Sequence, residues 1–302
     1  MEGITDTVLM IRPHAFGSNQ ETLTDNAFQS DSAEGQANHI KEQALIEFDA
    51  MVEELQKNDI KVIVVEDNPE AHTPDAVFPN NWFSTHATSI VTYPMRAASR
   101  RLERREDIVD LLMKERGYKK RYSFEYMEEE ELYLEGTGSM VLDRKSKVLY
   151  ACLSQRTDIK VLEKFAVLQG YQKIVFTAVD EDGKRIYHTN VLMAIATDYV
   201  VICLAAIPDE AERREVIASF EKTNKEIIDI SMAQMNAYAG NMLQVKSKLG
   251  EKFMIMSKSA YESMSAAQID QIRIHNKILT PGIPTIEKYG GGSVRCMIAE
   301  IF

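Results

Sequence analysis

Gly136-Thr137-Gly138-Ser139-Met140-Val141-Leu142 is a tight, glycine-rich turn that runs directly into apolar residues. The pattern recurs at Pro79-Asn80-Asn81-Trp82-Phe83, His188-Thr189-Asn190-Val191-Leu192-Met193, Ala239-Gly240-Asn241-Met242-Leu243-Gln244-Val245 and Gly292-Ser293-Val294-Arg295-Cys296. With Asn81, Ser139, Asn190, Asn241 and Ser293 taken as equivalent, the steps are 58, 51, 51 and 52 residues. A fixed step of that size marks a repeated supersecondary unit, which buries its apolar face only against its neighbours.

Helical patterns fill the intervals. Ala37 to Lys57 places Ile40, Ala44, Ile46, Phe48, Met51, Val52 and Leu55 at helical spacing and is followed by a strand-like Lys61-Val62-Ile63-Val64-Val65. Helical stretches at 97–116, 158–169, 209–221 and 260–278 are expected to precede strands near Leu132, at Ile174-Val175-Phe176, at Ile227-Ile228-Asp229-Ile230 and at Pro284-Thr285-Ile286. Each interval reads strand, helix, strand. No Pro/Ser-rich linker or low-complexity tract interrupts them, so residues 1–302 are expected to form one α/β domain with five-fold pseudosymmetry.

Composition narrows the function. With 45% hydrophobic and 27% charged residues, 302 residues can bury a substantial core. A net charge of −11 argues against nucleic acid as partner, because neutralising phosphates needs a basic face. No apolar run approaches a membrane span and the N-terminus has no basic segment, so a cytoplasmic, membrane-free protein is expected. Cys152, Cys203 and Cys296 cannot all pair, and no cysteine or histidine has metal-ligand spacing to another, so neither a disulfide framework nor a metal site is expected. A homo-oligomer is left open.

Cys296 stands behind the glycines Gly290-Gly291-Gly292, where a turn lets a substrate come close. A cysteine at the edge of an apolar segment is either inert packing or a nucleophile. A nucleophile needs a base nearby, and the usual one is a histidine oriented by a carboxylate. The second junction supplies Glu135 and the third His188, and a ring of five units can bring three such junctions to one axis.

These segments, spread over most of the chain, resemble the pentein, or guanidino-group-modifying, superfamily, which includes arginine deiminase, dimethylarginine dimethylaminohydrolase and glycine amidinotransferase. The resemblance rests on Met10-Ile11-Arg12-Pro13, Pro74-Asp75-Ala76-Val77-Phe78-Pro79-Asn80-Asn81, Ser99-Arg100-Arg101, Glu135-Gly136, Leu153-Ser154-Gln155-Arg156-Thr157, His188-Thr189-Asn190 and the terminal glycines with Cys296. The branch it is most similar to is that of the citrulline utilization hydrolases. The resemblance implies a five-bladed α/β propeller, with Cys296 as nucleophile, His188 as acid/base and Glu135 as a carboxylate beside it. It further implies Arg100 and Arg156 as a clamp for a substrate α-carboxylate, Asp75 at the α-amino group, and no cofactor. The implied partner is a small amino-acid substrate.

The chain departs from the guanidine-acting members at Asn80 and Asn81, where they carry acidic residues, and at Asn190, where arginine deiminases have aspartate. Burying a guanidinium, a cation with donors only, without carboxylate partners costs on the order of 3–5 kcal/mol. A ureido group is neutral and adds a carbonyl acceptor, which amides can serve. The expected reaction is therefore hydrolysis of citrulline to ornithine, ammonia and carbon dioxide through a covalent Cys296 intermediate. The alternatives are chemistry on a guanidine, as in a deiminase, dimethylarginine hydrolase or amidinotransferase, and a non-catalytic pentein that binds a macromolecule.

Overall fold

Every turn of the repeat leads into the first strand of a three-stranded sheet in the computed structural model, which describes residues 3–23, 26–31 and 35–302. Four sheets run in chain order: β3 (Phe83–His86), β4 (Ser89–Thr92) and β5 (Lys120–Ser123); β6 (Val141–Asp143), β7 (Val148–Cys152) and β8 (Gln172–Phe176); β9 (Met193–Ile195), β10 (Tyr199–Ile202) and β11 (Glu226–Asp229); β12 (Leu243–Lys246), β13 (Lys252–Ile255) and β14 (Lys277–Leu279). The remaining sheet joins the two ends of the chain, with β15 (Ala299–Ile301) antiparallel to β1 (Thr7–Arg12), and β1 parallel to β2 (Lys61–Glu66). In all five, the strand after the turn pairs antiparallel with the middle strand, which pairs parallel with the third.

This order follows from connection lengths. The antiparallel pair needs only a short hairpin, whereas the parallel pair needs a crossover, which the helical stretches supply. The middle strands β4, β7 and β10 are buried along their length, while β2, β5 and β11 expose alternate or consecutive residues at the sheet edges. Asp158 and Asp209 cap the helices Ile159–Gln169 and Glu210–Lys222, accepting one and two backbone N–H bonds from the first turn respectively.

Three local expectations are corrected. The strand after 97–116 is β5, not a segment near Leu132, because Gly117 in left-handed conformation (φ 71°) ends the helix Glu106–Arg116 and the chain pairs almost at once. Pro284-Thr285-Ile286 begins a helix, Pro284–Gly290, and the strand there is β14. Proline at the first helical position loses no hydrogen bond, and Glu47 accepts from the backbone N–H groups of Thr285 and Ile286 at 3.0 Å. The stretch 260–278 divides into Lys258–Ser263 and Ala266–His275, because Ser265 forms a capping box with Gln268.

The five turns touch one another in chain order. Thr137 Oγ1 donates to Asn80 O at 3.3 Å, Thr189 Oγ1 to Ser139 O at 2.6 Å, Asn241 Nδ2 to Asn190 O at 3.0 Å, and Arg295 N to Asn241 Oδ1 at 3.0 Å. Gly290 and Gly292, in the last turn, lie against the Phe78 ring beside the first. The approach is closest at the second turn. Gly136 has φ +47°, and a Cβ on it would stand 2.3 Å from Asn80 O. At Gly138 a Cβ would stand 2.4 Å from Asn81 Nδ2 and 2.8 Å from His188 Nδ1.

The helix Ala37–Lys57 tests the packing. Phe48 is fully buried, but Ile46, apolar in the same pattern, is 60% exposed because it lies off the stripe formed by Ile40, Ala44, Phe48, Met51, Val52 and Leu55. Phe48→Ala is expected to lower the unfolding free energy by about 3–5 kcal/mol and Ile46→Ala by no more than about 0.5 kcal/mol, read by urea denaturation.

Candidate active site

Cys296 lies in the turn before β15, 6% exposed, its N–H donating to Ser293 O at 2.9 Å. Two amide nitrogens reach its sulfur: Asn190 Nδ2 at 3.3 Å and Asn241 Nδ2 at 3.2 Å. The Asn241 amide cannot turn round without losing a bond, because its Oδ1 accepts from Arg295 N. The sulfur thus accepts from two amide groups. Local sequence signals do not single out Asn241 as a site residue, although its equivalence with Asn190 in the repeat marks its position.

His188 precedes the short helix Thr189–Leu192, and its Nε2 lies 2.8 Å from Glu135 Oε2. Both side chains are buried. Glu135 Oε1 accepts from Arg96 N at 3.0 Å, and Oε2 also faces Arg156 Nη1 at 3.5 Å and Arg100 Nη1 at 4.0 Å. The Ser139 hydroxyl accepts from Glu135 N at 2.9 Å and donates to Arg156 O at 2.8 Å, which ties the two backbones together. Burial by itself would push the Glu135 carboxyl up, but Arg156, His188 and Arg100 outweigh it and hold it well below the usual carboxylate range. An ionised Glu135 only accepts, so the His188 proton belongs on Nε2, which leaves Nδ1 as the ring's acceptor. Burial lowers His188 below its ordinary 6.5, and the bond to Glu135 offsets only part of that.

Of the residues expected at the site, Asp75, Asn81, Arg100, Arg156, His188 and Cys296 line one cavity, together with Thr22 and Asn26. Glu135 and Asn190 stand behind it, in contact with His188 and Cys296. Asn80 is fully buried and does not line the cavity, and neither atom of its side-chain amide has a partner. Asp75 Oδ2 accepts from Asn19 Nδ2 at 2.8 Å, whereas its Oδ1 is unpartnered, and burial raises the Asp75 carboxyl. Asn190 Oδ1 and Asn81 Nδ2 are likewise buried without partners. Arg156 packs its guanidinium over the Tyr187 ring at 5.0 Å.

Arg100 was expected as half of a carboxylate clamp, in a run of charges that otherwise reads as helix surface. It is 3% exposed, and its fork is occupied: Nε and Nη2 donate to Glu103 at 2.8 and 2.9 Å, and Nη1 donates to Asn81 Oδ1 at 2.8 Å. Glu103 was missed because an i, i+3 ion pair in a charged run looks the same on the surface and in the interior. Burial pushes its carboxyl up to about 7, against the pull of Arg100. With Asp75 and Glu135 it makes a third buried carboxylate, so the site is richer in acid than Asn80 and Asn81 suggested. Among the described residues, no group of three or more His, Cys, Asp or Glu is placed to hold a metal ion, and no helix is long and apolar enough to cross a membrane.

The family model described as N,N dimethylarginine dimethylhydrolase, eukaryotic, matches residues 12–302. The chain belongs to this family. It is thereby a member of the pentein superfamily. No curated protein sequence matches. Among solved structures, ArgZ, an arginine dihydrolase from the ornithine–ammonia cycle in cyanobacteria, superposes with a TM-score of 0.74 at 17% identity. The match takes in 98% of this chain and 40% of that one, and 97% of the ArgZ N-terminal domain. AgrE gives 0.76 at 19% identity over 98% of this chain and 39% of its own, and dimethylarginine dimethylaminohydrolase gives 0.66 at 16% over 98% and 99%. At such identities these structures speak for the fold. The chain spans about two fifths of the full-length ArgZ and AgrE chains.

A buried histidine held below its ordinary value gives a signed prediction. The unfolded chain takes up a proton below about 6.5 that the folded His188 refuses, so the contribution of His188 to stability falls as pH drops from 7 to 5, opposite in sign to that of the raised Glu103 carboxyl. In His188→Asn that slope is expected to flatten by up to about 1.4 kcal/mol per pH unit, measured by urea denaturation at the two pH values. An unchanged slope would mean that His188 is protonated in the fold.

Proposed function

We propose that this chain hydrolyses a C–N bond at the terminal carbon of a ureido or guanidino amino acid, and that citrulline suits the site best. One observation carries the choice. Arg100 is a pure donor, so Asn81 turns its oxygen to Arg100 and its unpartnered Nδ2 away from it. An orphan donor in the wall of the cavity has nothing to bind on a guanidinium, which offers only N–H groups, but can bind a ureido oxygen.

In this reading His188 Nδ1 takes the proton of the Cys296 thiol, and the sulfur forms a bond to the ureido carbon while the carbonyl electron pair moves onto oxygen. Asn81 Nδ2 stabilises that oxygen. As the pair returns, the C–N bond breaks and the departing nitrogen takes the proton from His188. Water, deprotonated by His188, then clears the S-linked group, and the resulting carbamate loses carbon dioxide, so that ornithine, ammonia and carbon dioxide form whichever nitrogen leaves first. Glu135 keeps the His188 proton on Nε2, Asn190 and Asn241 steady the sulfur, and Asp75 and Arg156 receive the amino-acid end. We propose that residues 1–302 act as one catalytic domain. We also read the five sheets as blades of a propeller with the site on its axis, because the turns touch in cyclic order.

A second reading is favoured by the buried acid. Asp75 Oδ1 needs a donor and a guanidinium would supply one, which fits arginine and the family's name. Arginine that loses its first nitrogen becomes a ureido compound, so an arginine dihydrolase, as ArgZ is described, presents both groups to one site.

Ammonia and ornithine release from L-citrulline and L-arginine, assayed in parallel, tests both readings. Turnover of citrulline that is lost by at least about 10³-fold in Cys296→Ser is the expected result, with Asn81→Asp moving preference towards arginine. Turnover of arginine that stops at citrulline would overturn the ureido reading.

A further inference from the structure

Glu103 does not line the cavity, and yet its hydrogen bonds determine which end of the Asn81 amide is left without a partner. The two oxygens of Glu103 hold the Nε and Nη2 edge of Arg100 at 2.8 and 2.9 Å, leaving Nη1 to reach Asn81 Oδ1 at 2.8 Å. Arg100 has other acidic neighbours: Asp75 Oδ2 lies 3.7 Å from its Nε and Glu135 Oε2 lies 4.0 Å from its Nη1. The Glu103 fork is what keeps the guanidinium plane aligned on Asn81 rather than swung towards those two carboxylates. All three side chains are nearly or wholly buried, so water does not compete for the bonds.

An amide that is bonded at one end has one orientation, and one without that bond has two. With Oδ1 on Arg100, Asn81 offers a donor, which suits a ureido oxygen. Turned round, it offers an acceptor, which suits the N–H groups of a guanidinium. We propose that Glu103 is a specificity-determining positioning residue, acting through Arg100 on the Asn81 amide to favour ureido over guanidino ligands. This rests on the ureido reading of the site.

Equilibrium binding of L-citrulline and L-arginine to the Cys296→Ser protein, by calorimetry, isolates selectivity from turnover. Adding Glu103→Gln, which cannot accept from both Arg100 donors, is expected to shift the ratio of the two dissociation constants towards arginine by at least about tenfold. In an Asn81→Asp background both outer atoms are oxygens and orientation ceases to matter, so Glu103→Gln is expected to leave the ratio within about twofold. Arg100→Lys keeps the charge, loses the fork and is expected to reproduce the shift, which covers the case of a Glu103→Gln protein that fails to fold. An unmoved ratio, or an equal shift in both backgrounds, overturns the proposal and leaves the ureido reading standing. A Cys296→Ser protein that does not bind citrulline overturns both.

Discussion

Close approach of five turns, each touching the next, is the constraint on which the rest of this molecule depends. Backbone groups at the ends of the inner strands have left their sheets and must find partners across turns from distant parts of the chain. Side-chain hydroxyls and amides supply them: Thr137, Thr189 and Asn241 each bond to the turn next to their own. The approach is too close at Gly136 and Gly138 for a Cβ, so glycine stands where Asn80, Asn81 and His188 come in. The same geometry that closes the turns on one another puts Cys296, His188 and Glu135 within reach of a single small cavity.

Burying that much polarity is possible because the charges are arranged in alternation. Glu135 lies among His188, Arg156 and Arg100, and Arg100 lies among Glu103, Asp75 and Glu135. Removing one member of such a set would leave its partner as an uncompensated buried charge, at a cost of about 3–5 kcal/mol. Among the described residues near the cavity, unpartnered buried side-chain atoms occur at Asp75, Asn80, Asn81 and Asn190. Of these, Asp75 and Asn81 line the cavity, and their orphan atoms ask a ligand for one donor and one acceptor.

Family membership and the asparagines pull in complementary directions. The family name speaks of a methylated guanidine, and three buried carboxylates suit a cation. The amide at Asn81, with its oxygen turned to Arg100, suits a neutral carbonyl. A site that must handle a nitrogen-rich carbon before and after it acquires an oxygen would need both kinds of group, and the arrangement of Asp75 and Asn81 on one cavity wall offers them.

The period of turns near fifty residues, read directly from the chain, was enough to determine the strand–helix–strand unit and the positions from which Glu135, His188 and Cys296 come, because turn chemistry and hydrophobic spacing are local. Local signals failed where a residue's meaning depends on what it packs against. Pro284 opens a helix because Glu47, far away in sequence, meets its N-terminus. Ile46 is exposed although it shares its neighbours' apolarity. Glu103 and Arg100 were indistinguishable from a solvated helix face until the fold buried them. Asn241 became a partner of the sulfur only when the fourth turn met the fifth. Sequence determined which groups are available at each junction. Tertiary structure alone decided which are dehydrated, which face each other and which way an amide points, since these depend on contacts between residues scores of positions apart.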